Sequence, residues 1–222
     1  MGPVVIIVVM PRTARIVLPG VPHHVTQRGN QKQQVFFDDE DRAAYLALLR
    51  ENATRYGVRV LAYCLMSNHI HVVCIPNRKD SLARAIGRTH FTYTSHVNLK
   101  FGRHGHLWQN RFYSCPMDEP HTLTALAYVE MNPVRARMVE HAWDYSWSSA
   151  KAHCYSHTES TLLNLTRWRG HFTALEWRES LKMTAESEAF ANRIRVCTHK
   201  GRALGDASFQ RRVAEELQQR KK

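Results

Sequence analysis

A chain of 222 residues with 44% hydrophobic and 9% aromatic side chains can bury a core, which excludes a disordered tail or linker. Thirty-one Lys and Arg against 19 Asp and Glu leave a formal charge of +12, a balance that points to a polyanionic partner bound in a salt-sensitive way. Five cysteines (Cys64, Cys74, Cys115, Cys154, Cys197) with no C-x-x-C spacing exclude a disulfide frame or zinc knuckle and fit a reducing, cytoplasmic compartment.

The opening run MGPVVIIVVM is apolar but too short to span a bilayer, and it lacks the basic residues that open a signal peptide. Ordinary soluble sequence begins at Pro11, and no membrane partner is expected. After Pro19-Gly20 a strand starts at about His23, with His24, Thr26 and Arg28 on one face and His23, Val25 and Gln27 on the other. Gly29-Asn30 ends it. Asp38-Asp39 cap a helix through DRAAYLALLRENATRY, and Gly57 stops it. Val58 to Leu65 and His69 to Ile75 form a hairpin about the Ser67-Asn68 turn, closed by Pro76. Ser81 to about Lys100 is a second helix, and FYSCP (Phe112 to Pro116) supplies a fourth strand. This order gives an α+β fold, a ferredoxin-like or RRM-like antiparallel sheet flanked by helices.

Between helix and fourth strand lies RHGHLWQNR, Arg103 to Arg111, where basic and aromatic residues interleave. Trp108 there either stacks on single-stranded or distorted nucleic acid or plugs the core at the sheet edge. An apolar stripe through Leu123, Leu126, Ala127 and Met131 predicts a helix that carries Tyr128 and includes Asn132, with a break near Pro133 and a second helical piece from Val134 to Val139. Trp143, Tyr145 and Trp147 read as packing residues. Beyond Cys154 the composition changes. His157 to Leu163 reads as a loop, Phe172 to Leu181 and Glu186 to Cys197 as helices, and Gly201 as a break. Ser208 reads as the cap of a last helix, Phe209 to Gln219, which runs into Arg220, Lys221 and Lys222. This basic helical tail is either a DNA-contacting module or a strap over one face of the main domain.

The most informative stretch is YCLMSNHIHVVCIP, Tyr63 to Pro76. On a strand His69 and His71 point to one side and Ile70 to the other. Such a pair is either a hydrogen-bonded or solvent-facing pair on a half-buried sheet, or two nitrogens able to close on one divalent ion. Tyr128 and Asn132, four apart, share a helix face. If that helix crosses the sheet over the two histidines, Asn132 adds a carbonyl oxygen and Tyr128 stands beside the same ion. Oxygen and imidazole donors suit Mg²⁺ or Mn²⁺ better than a structural zinc site. Phenols ionise near pH 10 and attack poorly at neutral pH, but a cation on a phosphodiester makes attack by tyrosine feasible. Tyr128 is otherwise a core or rim tyrosine.

In that order, LPGVPHHVTQRGN, YCLMSNHIHVV, LWQNRFYSCP and YVEMNPVRARMV resemble the segments of REP-associated tyrosine transposases, members of the HUH single-tyrosine nucleases that include the small insertion-sequence transposases. The resemblance runs from about Pro11 to Tyr155. It implies a nuclease domain over 11–155, with the HUH endonuclease fold, and a basic helical C-terminal extension over 156–222. It also implies His69 and His71 as the metal pair for Mg²⁺ or Mn²⁺, with Asn132 as a third, weaker ligand. Tyr128 matches the catalytic nucleophile that forms a 5′-phosphotyrosine link to single-stranded DNA and frees a 3′-hydroxyl. The implied partner is single-stranded hairpin DNA, handled by a monomer or a homodimer, with DNA transposition or strand rejoining as the outcome. Arg28, Arg111 and Arg135 are candidates for phosphate contacts, and Arg103 and Trp108 for the hairpin or guide strand. Rival readings are a binding-only derivative, an RNA-binding module on a similar sheet, and a zinc hydrolase, for which no H-E-x-x-H stretch exists.

Overall fold

The computed structural model describes residues 15–155, 160–184 and 188–219. The apolar opening run, His157, Glu186 and the terminal Arg220, Lys221 and Lys222 lie outside the described residues. The first half follows a β-α-β-β-α-β course: β1 His23–Arg28, α1 Asp39–Tyr56, β2 Val58–Met66, β3 His69–Pro76, α2 Ser81–Lys100 and β4 Tyr113–Pro116. The sheet order is β2-β3-β1-β4, with every neighbouring pair antiparallel, which is the ferredoxin-like arrangement. The remainder is helical: α3 Glu119–Glu130, α4 Asn132–Arg135, α5 Ala150–Cys154, α6 Thr166–Arg169, α7 Ala174–Thr184, α8 Glu188–Lys200 and α9 Ala207–Gln219. No helix among the described residues is long and apolar enough to cross a membrane. All five cysteines are free thiols, and burial pushes Cys74 and Cys115 up to about 12.

Local chemistry explains the main boundaries. The Asp38 carboxylate accepts from the Asp41 N–H and caps α1, and Gly57, with φ at +65°, closes it in the left-handed region. In β3 the alternation is strict: Ile70, Val72 and Cys74 enter a core with Tyr45, Leu49, Leu82, Ile86 and Tyr93 of α1 and α2. Val73 and Ile75 enter the opposite core, with Leu126 and Val129 of α3. An irregularity between Val60 and Ala62 in β2 lets Val60 serve the first core and Leu61 and Ala62 the second.

The tail is a strap. Trp168, Trp177, Leu181, Ala191, Ile194 and Leu204 share the second core with α3. α3 lies across β2 and β3, whereas α8 lies across β4 and β1. The buried carboxylate of Glu130 ties the parts together. It accepts from Trp177 Nε1 of α7 at 2.8 Å, from His153 Nδ1 of α5 at 2.5 Å and from the Ser149 hydroxyl.

Three expectations are corrected. The cap of α9 is Asp206, whose Oδ1 accepts from Phe209 N–H at 2.7 Å, rather than Ser208, whose hydroxyl bonds to the same carboxylate. The helix bearing Tyr128 ends at Glu130, and Asn132 begins a separate short turn that stops at Arg135. Pro133 lacks the N–H that would answer the Val129 carbonyl, so the Asn132 Nδ2 takes it, together with the Tyr128 carbonyl, both at 3.1 Å. The third concerns Trp108, only 7% exposed. Its ring stacks on His90 at 4.3 Å and packs against Phe36, Tyr45 and Tyr93, so it plugs the core and is not displayed for stacking on a base.

Replacing Glu130 by Ala strands three donors in a dry core and is expected to cost about 3–5 kcal/mol in a urea titration; a loss below about 1 kcal/mol would contradict this account. Acid should act elsewhere. Burial holds His23 at about 4 and His90 at about 3, so these rings stay neutral in the fold while the unfolded chain takes up protons below about 6.5. Stability is therefore full above that value and falls as pH drops toward 4, by roughly 1.4 kcal/mol per pH unit for each excluded proton. Urea midpoints at pH 7, 6 and 5 should decline in that order, and a flat series would refute it.

Candidate active site

A cavity of about 570 Å³ opens where α3 and α8 part over the sheet. Three adjoining strand positions supply its floor. His71 pairs with Thr26 and His69 with Arg28 across the β1–β3 ladder, while His24 of β1 pairs with Cys115 of β4. These side chains all emerge on the α3 side because Ile70 and Val25 occupy the alternate positions that fill the other core. One wall is Tyr128, Asn132, Arg135 and Ala136, and the other is Arg195, Thr198 and His199.

The two imidazoles keep one nitrogen each for the cavity. His69 Nδ1 donates to Asn68 Oδ1 at 2.6 Å, and His71 Nδ1 meets His24 Nε2 at 2.8 Å. Neither Nε2 has a hydrogen-bond partner among the described residues. Their ring centroids are 5.0 Å apart. Burial holds His69 at about 4, with Arg28 adding to the effect. Burial, reinforced by His69, His24 and two arginines, holds His71 well below the ordinary histidine value. Both rings are neutral at pH 7.

Asn132 is oriented by the helix end. Its Nδ2 donates to the Tyr128 and Val129 carbonyls, which fixes the amide and leaves Oδ1 without a partner among the described residues. The Tyr128 ring stands edge-on to His71, with centroids 5.6 Å apart, and to His24 at 5.9 Å. Arg135 lies over its face, Cζ 4.4 Å from the centroid, and its Nη2 donates to the Tyr128 carbonyl at 2.5 Å. The guanidinium there makes a cation–π contact that holds the ring in place.

The donor set fits a divalent cation that also takes oxygen ligands: two neutral imidazoles and an amide oxygen, with open positions left for water or phosphate. Among the described residues no group of three or more His, Cys, Asp or Glu side chains is gathered for a metal. The cavity is lined by Arg28, Arg135 and Arg195 and by no carboxylate. Such a site favours an anion and holds a cation best with an anionic ligand beside it.

The structure thus brings His69, His71, Tyr128, Asn132, Arg28 and Arg135 to one cavity. It leaves three other candidates outside. Arg111 lines a second cavity on the opposite face, together with Arg15 and Trp108. Arg103 sits over Phe37 and Phe101, 4.9 and 4.7 Å from their ring centroids. Sequence reasoning did not single out His24, Arg195, Thr198 or His199. His24 shares a strand face with Thr26 and Arg28, which was a usable signal. No local pattern connects the residues of α8 to a site whose histidines lie more than 120 positions earlier in the chain.

No curated protein matches the chain. A solved structure described as a REP-associated tyrosine transposase bound to a REP hairpin superposes with a TM-score of 0.57 at 16% identity, covering 70% of this chain and 92% of the other. A putative transposase from Deinococcus radiodurans R1 aligns with a TM-score of 0.39 at 19% identity, over 54% of this chain and 96% of the other. The profile of the family "Transposase IS200 like" matches residues 20–132, a span that takes in the whole sheet, α3 and Asn132. The chain belongs to the IS200-like transposase family.

Proposed function

We propose that the protein cuts and rejoins single-stranded DNA beside palindromic hairpins, in a metal-dependent reaction that passes through a 5′-phosphotyrosine link. The observation that carries this reading is the meeting of the Tyr128 ring with the unengaged His69 Nε2, His71 Nε2 and Asn132 Oδ1 in one cavity lined by arginines. Family membership supports strand transfer as the reaction class. The fold shared with a hairpin-bound transposase supports a hairpin as the substrate class.

His69, His71 and Asn132 would hold Mg²⁺ or Mn²⁺, which supplies polarisation of the scissile phosphate and offsets its developing charge. Arg28 and Arg195, at the rim, orient the phosphodiester. Tyr128 Oη attacks phosphorus in line, and its proton passes to solvent. A new P–O bond to tyrosine forms as the P–O3′ bond breaks, and the departing oxygen takes up a proton to become a free 3′-hydroxyl. Attack by another 3′-hydroxyl reverses these steps, so the bond is conserved without hydrolysis of a nucleotide. Arg135, packed over the ring face and bonded to the Tyr128 carbonyl, holds the phenol in position. Arg111 and Arg103 serve DNA away from the point of scission. Residues 156–222 act as an extension of the 11–155 nuclease domain, closing one wall of the site, in a protein at work in the cytoplasm.

The test is incubation with single-stranded hairpin DNA from the flanks of the gene, with and without Mn²⁺, read on denaturing gels. Wild-type protein should form a covalent adduct only with metal, and Tyr128→Phe should form none while binding the same hairpin within about threefold. Adducts that persist in Tyr128→Phe would remove Tyr128 from its role. A wild-type protein that binds hairpins yet never forms an adduct, in Mg²⁺ or Mn²⁺, would leave a binding protein.

A further inference from the structure

His71 makes its only side-chain hydrogen bond among the described residues to a second histidine, and that histidine is held in turn by the C-terminal strap. His24 Nε2 lies 2.8 Å from His71 Nδ1, with the two rings within 15° of coplanar. On its other side His24 Nδ1 lies 2.8 Å from Thr198 Oγ1 of α8, and Thr198 Oγ1 lies 3.3 Å from Cys115 Sγ of β4. His24 and Thr198 are fully buried, so these partners are shielded from bulk solvent.

A neutral imidazole carries one proton, so this chain runs in one of two directions. In the first, His71 donates from Nδ1 to His24 Nε2, His24 donates from Nδ1 to Thr198, and the threonine hydroxyl turns to the Cys115 sulfur. His71 Nε2 then presents a lone pair to the cavity. In the second, every proton is reversed, and an N–H at His71 Nε2 blocks that position for a metal. The cavity decides between them. Three arginines line it and no carboxylate does, and such a positive field favours a lone pair over an N–H dipole pointing into it.

We infer that His24 and Thr198 are positioning residues that hold His71 in the tautomer able to bind a metal, so that the C-terminal helix α8 helps set the metal affinity of a site built on the sheet. This rests on the metal reading of His69 and His71 given above. The threonine matters as an acceptor. With Val at position 198, His24 Nδ1–H would be buried with no partner, and His24 would move its proton to Nε2. That proton faces His71 Nδ1, forces His71 into the blocked tautomer and removes one ligand. Ser at the same position keeps the hydroxyl.

The experiment is a Mn²⁺ titration of the full chain, reading free Mn²⁺ by electron paramagnetic resonance, for wild type, His71→Ala, Thr198→Val and Thr198→Ser. Thr198→Val should bind Mn²⁺ about 10- to 100-fold more weakly than wild type, the usual range for loss of a partner behind a metal ligand. Thr198→Ser should stay within about threefold, and both variants should keep the wild-type melting temperature within a few degrees. Wild-type uptake that is lost in His71→Ala but unchanged in Thr198→Val would overturn the relay alone. Uptake that is absent in wild type, or unchanged in His71→Ala, would overturn the metal reading and the relay with it. A second measurement needs no variant at position 198: nitrogen-15 NMR of the metal-free wild-type protein, with His71 assigned, should report the proton on Nδ1, and a proton on Nε2 would overturn the inference.

Discussion

The site depends on the register of β3 between its two neighbours. Strand side chains alternate with a period of two, so a slip of one residue would put His69 and His71 into the core beneath α1 and α2. Ile70 would then face the cavity. Ile70, Val72 and Cys74 on one face, with Val73 and Ile75 on the other, make that slip costly, because each face is packed against its own helical layer. The two imidazoles therefore need no special device to converge. They are carried to the same side of the sheet by the burial of the residues between and beyond them.

A second constraint is electrostatic. The cavity holds three histidines of the sheet in low-dielectric surroundings, with arginines and no carboxylate nearby. Desolvation keeps the three imidazoles neutral, with arginines adding to the effect at His69 and His71. The same balance makes the site hold a cation more tightly when that cation arrives with a phosphate than when it arrives alone. In the proposed reaction a phosphate oxygen would add to His69, His71 and Asn132 as a ligand, which would couple metal binding to engagement of DNA. The overall charge of +12 acts on a longer scale and favours polyanions in a salt-sensitive way.

Much of this was legible in the chain because the informative patterns are local. Alternation around Ile70, the Asp38 cap, the Gly57 stop and the hairpin turn at Ser67-Asn68 each lie within a few residues, and the structure follows them closely. At Trp108 and Thr198 distant partners decide, whereas at Asn132 the cause is local. Trp108 sits among basic residues in a loop, yet His90, Tyr45 and Tyr93 from two helices enclose it. The apolar stripe predicts Asn132 within the helix of Tyr128, and the helix ends at Glu130. The missing N–H of Pro133 turned its side chain into the cap of that helix, and the same bonds aim its oxygen at the cavity. Thr198 was invisible, since its contacts to His24 and Cys115 exist only once α8 has docked across β4.

The central claim is that two imidazoles and one amide oxygen form a single cation site beside Tyr128. The most direct measurement is anomalous diffraction from crystals of the protein grown with Mn²⁺ and a hairpin oligonucleotide. The account predicts a manganese peak about 2.1 Å from His69 Nε2, His71 Nε2 and Asn132 Oδ1 together, with a DNA phosphate oxygen among its other ligands. Manganese bound only elsewhere, with these three atoms left unliganded while DNA occupies the cavity, would contradict it.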